Sequence, residues 1–384
     1  MTLSDCSKEK LLPTMYDNFE NNSSPKVCFL LTHVPDPRTN KRIACFKEQG
    51  FSTSVICTRR KIQDIYEPEF QDVPHYIYNI NLPSAKHLVK RAIMSQHFKS
   101  IAIKKLKEIK PDIIYTEGLD LLLIAREYKK RNTVKIYFEC ADLRENFIKK
   151  STSFVPKMVT SILLHEEKVA FKSVNYLVVT SPKFYDVHFK ELIDKEHMLY
   201  IPNAPDLSAF NDYKRKKDGK FTVGFIGGVR YIRQMKMLVD AAEIAGCNVL
   251  FAGAGGNSED FIQIKNYCEK KEFVNFSGKY NYQQDISKLY GEVDCVYAVY
   301  DASNPNVCIA LPNKLYESIV CELPIIVAKN TYLSEIVTEL GVGVSIDYLS
   351  TDELAEQLHK LMYDKSFYTE ICNNCHSVNM KNNL

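Results

Sequence analysis

No stretch of the 384-residue sequence is apolar over the roughly 20 residues that a membrane-spanning helix needs. The first residues, Met1 to Lys10, are polar and lack the apolar core of a secretory signal peptide. The chain also lacks a strong excess of one charge, since 50 basic side chains stand against 47 acidic ones. These absences predict a cytoplasmic protein and argue against bulk binding of polyanions such as nucleic acid.

The charge is nevertheless uneven along the chain. Residues 1–205 hold 32 Lys and Arg against 24 Asp and Glu, a net charge of +8. Residues 206–384 hold 18 against 23, a net charge of −5. The first half is therefore the half predicted to meet an anionic surface.

Short β-branched or aromatic runs alternate with segments of helical spacing along most of the chain. The predicted strands are Val27 to Thr32, Thr53 to Cys57, Tyr76 to Ile80, Asp112 to Thr116, Val134 to Glu139, Tyr176 to Thr180, Phe221 to Ile226, Asn248 to Gly253, Phe273 to Ser277, Asp294 to Val299, Pro324 to Ala328 and Val342 to Ile346. This α/β alternation predicts two doubly wound, Rossmann-like domains facing across a cleft, with ligands beyond the carboxyl ends of the strands.

The domain limits follow from where the alternation starts and pauses. Residues 1–25 lack periodicity and are predicted to be a loose extension, followed by a first domain over 26–204. A polar, Lys-rich stretch near 202–219 is the predicted linker, and the second domain covers 205–364. The twelve cysteines are scattered through the predicted strands and helices, which indicates buried thiols rather than disulfides.

Two glycine-containing loops of the second domain are candidate ligand sites. Gly227 and Gly228 follow a predicted strand and precede a helix, with Arg230 and Arg233 close behind. Glycine lets a phosphate approach the backbone, and a helix start and arginines would bind it, so a diphosphate site is one interpretation. A turn with two solvated arginines is equally compatible with this segment alone. The loop around Gly255 offers bare backbone to a planar group.

The segment from Ala310 to Ser318 carries the sharpest signal. Pro312 suits the first turn of a helix, whose N–H groups would face the cleft. Glu317 lies a little more than one turn further and would place a carboxylate beside an anion site. Such a carboxylate is suited to neutral hydroxyls, for example those of a ribose, while the backbone binds phosphates. The alternative is a solvated acid favoured by the helix dipole.

A basic amphipathic helix is predicted at residues 86–110, which hold eight Lys or Arg and one Glu. Leu88, Ile93, Phe98, Ile101 and Leu106 are interspersed at near-helical spacing. Such a helix is typical of proteins that bind an anionic membrane surface, and each basic residue contributes about 1 kcal/mol there. A solvated helix over the sheet is the alternative, and nucleic acid is disfavoured because no recognition module accompanies the charge.

Taken in order, these motifs resemble the family 4 glycosyltransferases with the two-domain GT-B fold, in the branch that builds bacterial capsule, O-antigen or exopolysaccharide. The similarity covers residues 26–365. Its pieces are Pro35 to Arg38 with Lys41, Glu139 to Leu143, Ile201 to Asn203, Phe225 to Gly228, Phe276 to Gly278 and Pro312 to Glu317. The resemblance implies retaining transfer of a sugar from a nucleotide-sugar donor to a hydroxyl acceptor, with no metal and no further cofactor.

The resemblance also implies roles for individual residues. On the donor side, Glu317 matches the glutamate that holds the ribose, and Asn313, Lys314 and Leu315 match the loop around the diphosphate. Arg233 matches a basic residue at a helix start. On the acceptor side, Asp36 and Arg38 match a signature that faces the cleft. The last helix of such proteins usually crosses back to the first domain, so residues 365–384 are predicted to form a short crossover.

Three positions depart from the family pattern. Ile309 stands eight positions before Glu317, where the family has a second glutamate. Ala141 and Glu117 stand where many members carry histidines, and Gly228 replaces a basic residue for which Arg230 is a shifted substitute. Catalytic candidates are therefore Arg230 and Arg233, which would stabilise the departing diphosphate, and Glu117 and Asp142, which would contact the transferred sugar or acceptor hydroxyl.

The sequence thus predicts a glycosyltransferase at the inner face of the plasma membrane that extends a saccharide in surface polysaccharide synthesis. The basic surface and the family branch indicate that this saccharide is lipid-linked. One alternative is a catalytically silent GT-B scaffold, which the departures favour. The other is a nucleotide-sugar epimerase on the same scaffold. The sugar, nucleotide, linkage, acceptor and oligomeric state depend on a few side-chain positions that a sequence does not fix.

Overall fold

The computed structural model describes residues 24–59, 67–80, 88–143, 154–216, 219–253 and 259–382. These residues form two compact units that divide between Ile201 and Pro202. Most of the predicted N-terminal extension and the loop that contains Gly255 lie outside the described residues.

The first unit alternates strands and helices. Its elements are β1 (Lys26–Leu31), α1 (Pro37–Glu48), β2 (Ser52–Thr58), β3 (His75–Tyr78), α2 (Leu88–Ile109), β4 (Ile113–Glu117), α3 (Leu119–Lys129), β5 (Lys135–Cys140), α4 (Phe154–Phe171), β6 (Tyr176–Val179), a π-helical turn (Tyr185–Phe189) and β7 (Met198–Tyr200). The described strands form one parallel sheet in the order β3-β2-β1-β4-β5-β6-β7.

Buried apolar side chains on both faces explain why these strands pair in parallel. Five of the six residues of β1 are buried, as expected for a strand covered by helices on each side. Phe29 packs its ring against Tyr115 of β4 at 4.9 Å between ring centres and against Phe46 of α1 at 5.7 Å. This aromatic cluster packs α1 against the sheet, and the Asp36 N-cap with Pro37 in the first turn sets where α1 begins.

The second unit repeats the pattern. Its elements are a 3₁₀ turn (Leu207–Phe210), β8 (Thr222–Ile226), α5 (Ile232–Ala245), β9 (Asn248–Ala252), α6 (Glu259–Tyr267), β10 (Val274–Gly278), α7 (Tyr282–Gly291), β11 (Cys295–Ala298), α8 (Pro305–Ile309), α9 (Asn313–Val320), β12 (Ile325–Ala328), α10 (Tyr332–Leu340), β13 (Gly343–Ile346), α11 (Thr351–Tyr363) and α12 (Lys365–Asn382). The described strands form a parallel sheet in the order β10-β9-β8-β11-β12-β13.

In both sheets the strand order reverses at a central pair, β1 with β4 and β8 with β11. In sheets of this kind, ligands bind beyond the carboxyl ends of the strands at such a switch point. Each strand predicted from the sequence is present within one or two residues of its expected limits. The three-residue strand β7 was not predicted, because it is too short to show a pattern.

The last helix belongs to the second unit. In α12, Tyr368 donates its hydroxyl proton to the Asp294 carbonyl at 2.6 Å, and the Asn374 amide donates to the Gly341 carbonyl at 3.0 Å. Cys375 is fully buried on the same side. The described part of this helix therefore packs its inner side on the second unit, and the crossover expected for residues 365–384 stays a prediction.

Helix α2 places its apolar side in the core of the first unit. Phe98, Ala102 and Leu106, spaced four residues apart, are buried, and the Phe98 ring contacts Tyr78 of β3 at 6.3 Å. The apolar residues at the start of the 86–110 segment lie outside the described side chains. Phe98 and Leu106 are therefore not available to insert into a membrane, which corrects their predicted role. Among the described side chains of the helix, Lys104 and Lys107 remain exposed beside polar residues.

Two further predictions concern the chain as a whole. Among the described residues, no helix is both long enough and apolar enough to cross a membrane. The eleven cysteines of the described residues are free thiols, and eight of them are buried, which agrees with the prediction of apolar packing.

Candidate functional site

Charged side chains gather at the carboxyl ends of the central strands of the first unit. Glu117 is the last residue of β4, and Glu139 lies one residue before the end of β5. Helix α1 starts at the same edge with Asp36 as its N-cap, whose Oδ1 accepts a hydrogen bond from the Thr39 N–H at 2.8 Å. The strand ends and the helix start therefore fix these carboxylates along one edge.

Arg38 joins three of these carboxylates. Its Nη2 lies 3.2 Å from Glu117 Oε2 and 3.8 Å from Asp36 Oδ2, and its Nε lies 3.6 Å from Glu139 Oε1. The structure thus brings together the acceptor-side candidates Asp36 and Arg38 and the catalytic candidate Glu117. Asp142, two residues beyond β5, is exposed and lines the same edge.

From the sequence, Glu139 had no role beyond its place in a motif, and neither Arg42 nor Tyr115 was singled out. Glu139 is 4% exposed and accepts hydrogen bonds from the Tyr115 hydroxyl at 2.6 Å and from Arg42 Nη2 at 3.3 Å. Arg42 Nη2 also donates to the Ile201 carbonyl at 3.1 Å. The available signal was Arg42 one turn after Arg38 on the same helix, a spacing that places both guanidinium groups on one face.

Burial and charge shift the pKa values of the cluster in different directions. Burial raises the pKa of Glu117 and outweighs His33 and Arg38, which lower it. Burial would raise the pKa of Asp36, but the His33 hydrogen bond and the Arg38 charge hold it well below its usual range. Burial would lower the pKa of His33, yet the Asp36 hydrogen bond and the charge of Glu117 raise it. The cluster therefore favours a protonated His33.

We expect His33 to stabilise the first unit mainly on the acid side of neutrality. Since its folded pKa is raised above 6.5, its contribution is complete below that pH and is lost as the pH rises through the folded pKa. We compare the unfolding free energies of the wild type and of His33→Gln. The excess stability of the wild type should fall by about 0.5 to 1 kcal/mol between about pH 6 and about pH 8.5. Urea unfolding at each pH measures it. The exposed His97→Gln is the control, and equal pH slopes for both variants would contradict the expectation.

A cavity of about 260 Å³ opens at this edge. Its volume is near the lower end of small-molecule pockets, about 300 Å³. Its walls combine apolar side chains with carboxylates, among them Leu119, Phe138, Leu143, Phe189, Glu117, Glu139, Asp142 and Glu167. The first unit therefore contains a preformed cavity suited to a small polar molecule with an apolar face.

At the switch point of the second unit, Lys314 lies against Gly227. Gly227 has a φ of +143°, and a Cβ there would lie 2.9 Å from Lys314 Nζ. Lys314 is 8% exposed, donates to the Tyr300 hydroxyl oxygen at 3.1 Å, and places Nζ 4.5 Å from the centre of the Phe225 ring. These recorded partners are uncharged. A buried ammonium at the start of helix α9, where the dipole is also positive, forms a site that an anion would complete.

Replacing Gly227 with alanine should destabilise the second unit by about 1 to 2 kcal/mol. The φ of +143° is unfavourable for a residue with a Cβ, and the Lys314 ammonium would have to move. Gly228→Ala is the matched control, because its added Cβ would meet no atom within 4 Å and its φ is not in the left-handed range. Chemical unfolding of both variants measures the difference, and equal stabilities would refute the assigned strain.

Glu317 lies inside the second unit, 4% exposed. Its Oε1 accepts a hydrogen bond from the Tyr282 hydroxyl at 2.9 Å, and its Oε2 accepts one from the Tyr290 hydroxyl at 2.6 Å. Both tyrosines belong to helix α7, and neither was singled out from the sequence. Since an ionised carboxylate has about four acceptor positions, Glu317 retains capacity for a ligand hydroxyl.

The remaining donor-side candidates differ in exposure. Arg230 and Arg233 are exposed, with Arg233 in the first turn of α5, so both guanidinium groups are free to move toward a ligand. Asn313 begins helix α9, and Pro312 occupies the N-cap rather than the predicted first turn. Leu315 has its side chain fully buried, so any contact it makes with a ligand is confined to its backbone. Gly228 is exposed, and Gly255 lies outside the described residues.

One group of potential metal ligands occurs in the described part of the chain. Asp194, Glu196 and His197 bring ligand atoms within 4.8 Å of one another on the surface of the first unit. Both acids are exposed, and the lining of the strand-edge cavity does not include them. Exposed acidic groups of this kind commonly hold no ion, so the group carries no role here.

Comparison with known proteins gives one family match and a related protein of known role. Residues 209–377 match the family model described as "Glycosyl transferases group 1". The chain is 24% identical over 266 residues to the succinoglycan biosynthesis protein ExoL of Rhizobium meliloti (strain 1021), a match that covers 66% of this chain and 64% of ExoL.

Two solved structures are similar over nearly the whole chain. Sucrose-phosphate synthase from Thermosynechococcus elongatus has a TM-score of 0.69 and 12% identity, covering 93% of this chain and 94% of that one. HepE from Anabaena in complex with UDP-glucose has a TM-score of 0.67 and 16% identity, covering 93% and 95%. At such identities the likeness establishes the fold, and it confirms the prediction of two Rossmann-like α/β domains. Residues 209–377 thus match the group 1 glycosyl transferase model, and the chain as a whole has the GT-B fold of the structures to which it is similar.

Proposed function

We propose that the protein is a retaining glycosyltransferase that moves a sugar from a nucleotide-sugar donor to a hydroxyl of a saccharide acceptor. The observation that carries the proposal is Lys314, a buried cation at a helix start that contacts the uncharged side chains of Tyr300 and Phe225. A diphosphate supplies the negative charge that this position lacks. The match to the group 1 family over residues 209–377 supports the same activity.

The donor is proposed to lie along the strand edge of the second unit. Gly227 and Gly228 allow the diphosphate to approach the backbone, Asn313 lies at the helix start beside it, and Arg230 and Arg233 extend toward it from the surface. Glu317 is proposed to accept hydrogen bonds from the ribose hydroxyls. Support comes from the similar Anabaena HepE, whose structures include complexes with UDP and with UDP-glucose.

The proposed reaction needs positioning and positive charge more than a protein nucleophile. The acceptor oxygen forms a bond to the anomeric carbon on the face from which the diphosphate departs. The anomeric carbon–oxygen bond to the diphosphate breaks, and the acceptor proton passes to a diphosphate oxygen. Lys314 and the two exposed arginines stabilise the negative charge that develops on the leaving group. Glu117 and Asp142 are proposed to position the transferred sugar or the acceptor hydroxyl.

The biological setting is also part of the proposal. The similar ExoL is a succinoglycan biosynthesis protein, which supports a role in polysaccharide synthesis. We further propose that the polysaccharide is a surface polysaccharide and that the acceptor is lipid-linked. The exposed Lys104, Lys107 and Lys110 of the first unit are proposed to hold the protein at the anionic cytoplasmic face of the membrane by charge alone. No metal and no cofactor beyond the nucleotide sugar are proposed.

A thermal-shift panel of UDP-, GDP-, dTDP- and ADP-linked sugars tests the proposal. At about a hundred times its dissociation constant, the correct donor should stabilise the protein by roughly 2.7 kcal/mol, and EDTA should not change the shift. Lys314→Met should weaken donor binding about tenfold or more, since a charge-assisted contact to the diphosphate is lost. The exposed Lys288→Met is the control. Nuclear magnetic resonance of the product then reports the configuration at the anomeric carbon.

The alternative to catalysis is a silent GT-B scaffold, favoured by Ile309 at the position of the first family glutamate. A panel in which no nucleotide sugar stabilises the wild type would support that alternative. Stabilisation without turnover in the presence of saccharide acceptors would likewise favour it.

A further inference from the structure

The cavity of the first unit has a lining that suits hydroxyl groups better than anions. Its acidic and basic lining side chains are five carboxylates, Glu117, Asp120, Glu139, Asp142 and Glu167, and one guanidinium, Arg38, besides the thiol of Cys140. Arg38 is already bound by Glu117 and lies close to Glu139. The side chains therefore offer many acceptor oxygens and few available donors, and an anionic ligand needs donors.

The start of helix α3 also reaches the cavity, at Gly118 to Leu121. A helix start would favour an anion. Its first turn, however, already contains the carboxylate of Asp120. This carboxylate offsets the positive end of the helix and leaves the preference for uncharged hydroxyls in place.

Glu167 is a cavity residue that sequence reasoning did not single out. Its side chain is 5% exposed, and its Oε2 lies 2.8 Å from Nε2 of His188. His188 belongs to the π-helical turn Tyr185–Phe189, and its ring packs edge-on against Phe189 at 4.7 Å. Single π-helical turns are frequent at functional sites. His188 therefore fixes one oxygen of Glu167, and the other has capacity to accept from a ligand hydroxyl.

We propose that this cavity binds a neutral, hydroxyl-rich sugar ring of the acceptor, and that Glu167, positioned by His188, selects it over acidic sugars. The inference rests on the proposed function, because it assigns the acceptor to the first unit. Carboxylate oxygens accept hydrogen bonds from the ring hydroxyls, while Phe138 and Phe189 supply the apolar walls. A uronic acid would place its own carboxylate among these acceptors and is therefore bound more weakly.

Saturation-transfer magnetic resonance on the full chain tests the inference with methyl β-glucopyranoside and the matching methyl glucuronide, which differ only at carbon 6. The neutral glycoside should bind about tenfold or more tightly than the uronide. Glu167→Gln should lower that ratio several-fold, and the exposed Glu196→Gln should leave it unchanged. If Glu167→Gln fails to fold, the exposed Asp142→Lys at the rim should still shift the ratio toward the uronide.

Equal or tighter binding of the uronide would overturn the inference, as would an unchanged ratio in a folded Glu167→Gln. No signal from either glycoside at about 50 mM, where weak sites fill, would overturn it as well.

Donor binding is measured on the same samples by thermal shift. A donor shift with no glycoside selectivity defeats the inference alone. Selectivity without any donor shift keeps the sugar site and defeats the proposed transfer.

Discussion

Replacing Glu317 with alanine should lower the unfolding free energy of the second unit by about 3 to 4 kcal/mol. The carboxylate accepts hydrogen bonds from the hydroxyls of Tyr282 and Tyr290, and the Tyr290 side chain is fully buried. Alanine leaves the Tyr290 hydroxyl without its acceptor in the interior and opens a cavity between helices α7 and α9. Urea unfolding followed by circular dichroism measures the change, since the chain contains no tryptophan.

Glu317→Gln separates stability from ligand binding. Glutamine keeps the shape and can still bond to both tyrosine hydroxyls, one of which turns to accept from its amide, so most of the stability should remain. Donor binding should nevertheless weaken about tenfold, because a neutral amide replaces the charged acceptor proposed for the ribose. The exposed Glu339→Ala is the control for both measurements. A Gln variant that binds the donor as the wild type does would remove Glu317 from the donor site.

The strands were predictable because a parallel sheet covered on both faces demands continuous apolar runs. Val27 to Thr32 and Pro324 to Ala328 show such runs, and both are buried strands in the structure. The helix at residues 88–109 was harder to interpret. Its mix of lysines with Phe98 and Leu106 is equally typical of a helix that lies on a membrane surface and of a helix that covers a sheet. The structure decides between them, because Phe98 and Leu106 are buried.

The residues of the candidate site that lie together in one sequence motif could be predicted. Those that come together only in the fold, from distant parts of the chain, could not. Glu317 and Lys314 lie in one short segment that the family resemblance covers. The partners of Glu317, Tyr282 and Tyr290, come from a different helix, and a tyrosine at helical spacing gives no sign of what its hydroxyl binds. Arg42 is separated from its carboxylate by 97 positions. Such pairs depend on strand order, which a single sequence does not reveal.

The two units follow one physical plan at their strand edges. In the first unit, Glu139 is buried and accepts from the Tyr115 hydroxyl, and in the second, Glu317 is buried and accepts from the Tyr290 hydroxyl. Each carboxylate is held in place by the hydroxyl of a buried tyrosine. A rigid acceptor needs little reorganisation to bind a hydroxyl, which is what the proposed transfer requires of the groups that position its sugar or ribose.

The Arg42 and Glu139 pair should show the largest loss of stability in the first unit. Glu139→Met removes the carboxylate nearest to Arg42, whose guanidinium is 11% exposed, and it also leaves the Tyr115 hydroxyl without its acceptor. Breaking a buried ion pair from one side costs about 3 to 5 kcal/mol, because the remaining charge stays in a poorly solvated place. Arg42→Met should cost less, since Glu139 keeps Tyr115 and the nearby Arg38 Nε at 3.6 Å.

The double variant Arg42→Met with Glu139→Met is expected to be more stable than Glu139→Met alone. Removing both charges also removes the unpaired guanidinium, and two apolar side chains of similar length fill the space. The coupling energy from the four proteins of the cycle should be about 1 to 3 kcal/mol. Lys47→Met with Asp72→Asn, a pair in which Asp72 is exposed, should give a coupling below about 1 kcal/mol and serves as the reference.

A different result would change the interpretation. If the double variant lost as much unfolding free energy as the two single variants added together, Arg42 and Glu139 would act through separate contacts. In that case the hydrogen bond from Arg42 to the Ile201 carbonyl, rather than the ion pair, would hold helix α1 to the strand edge.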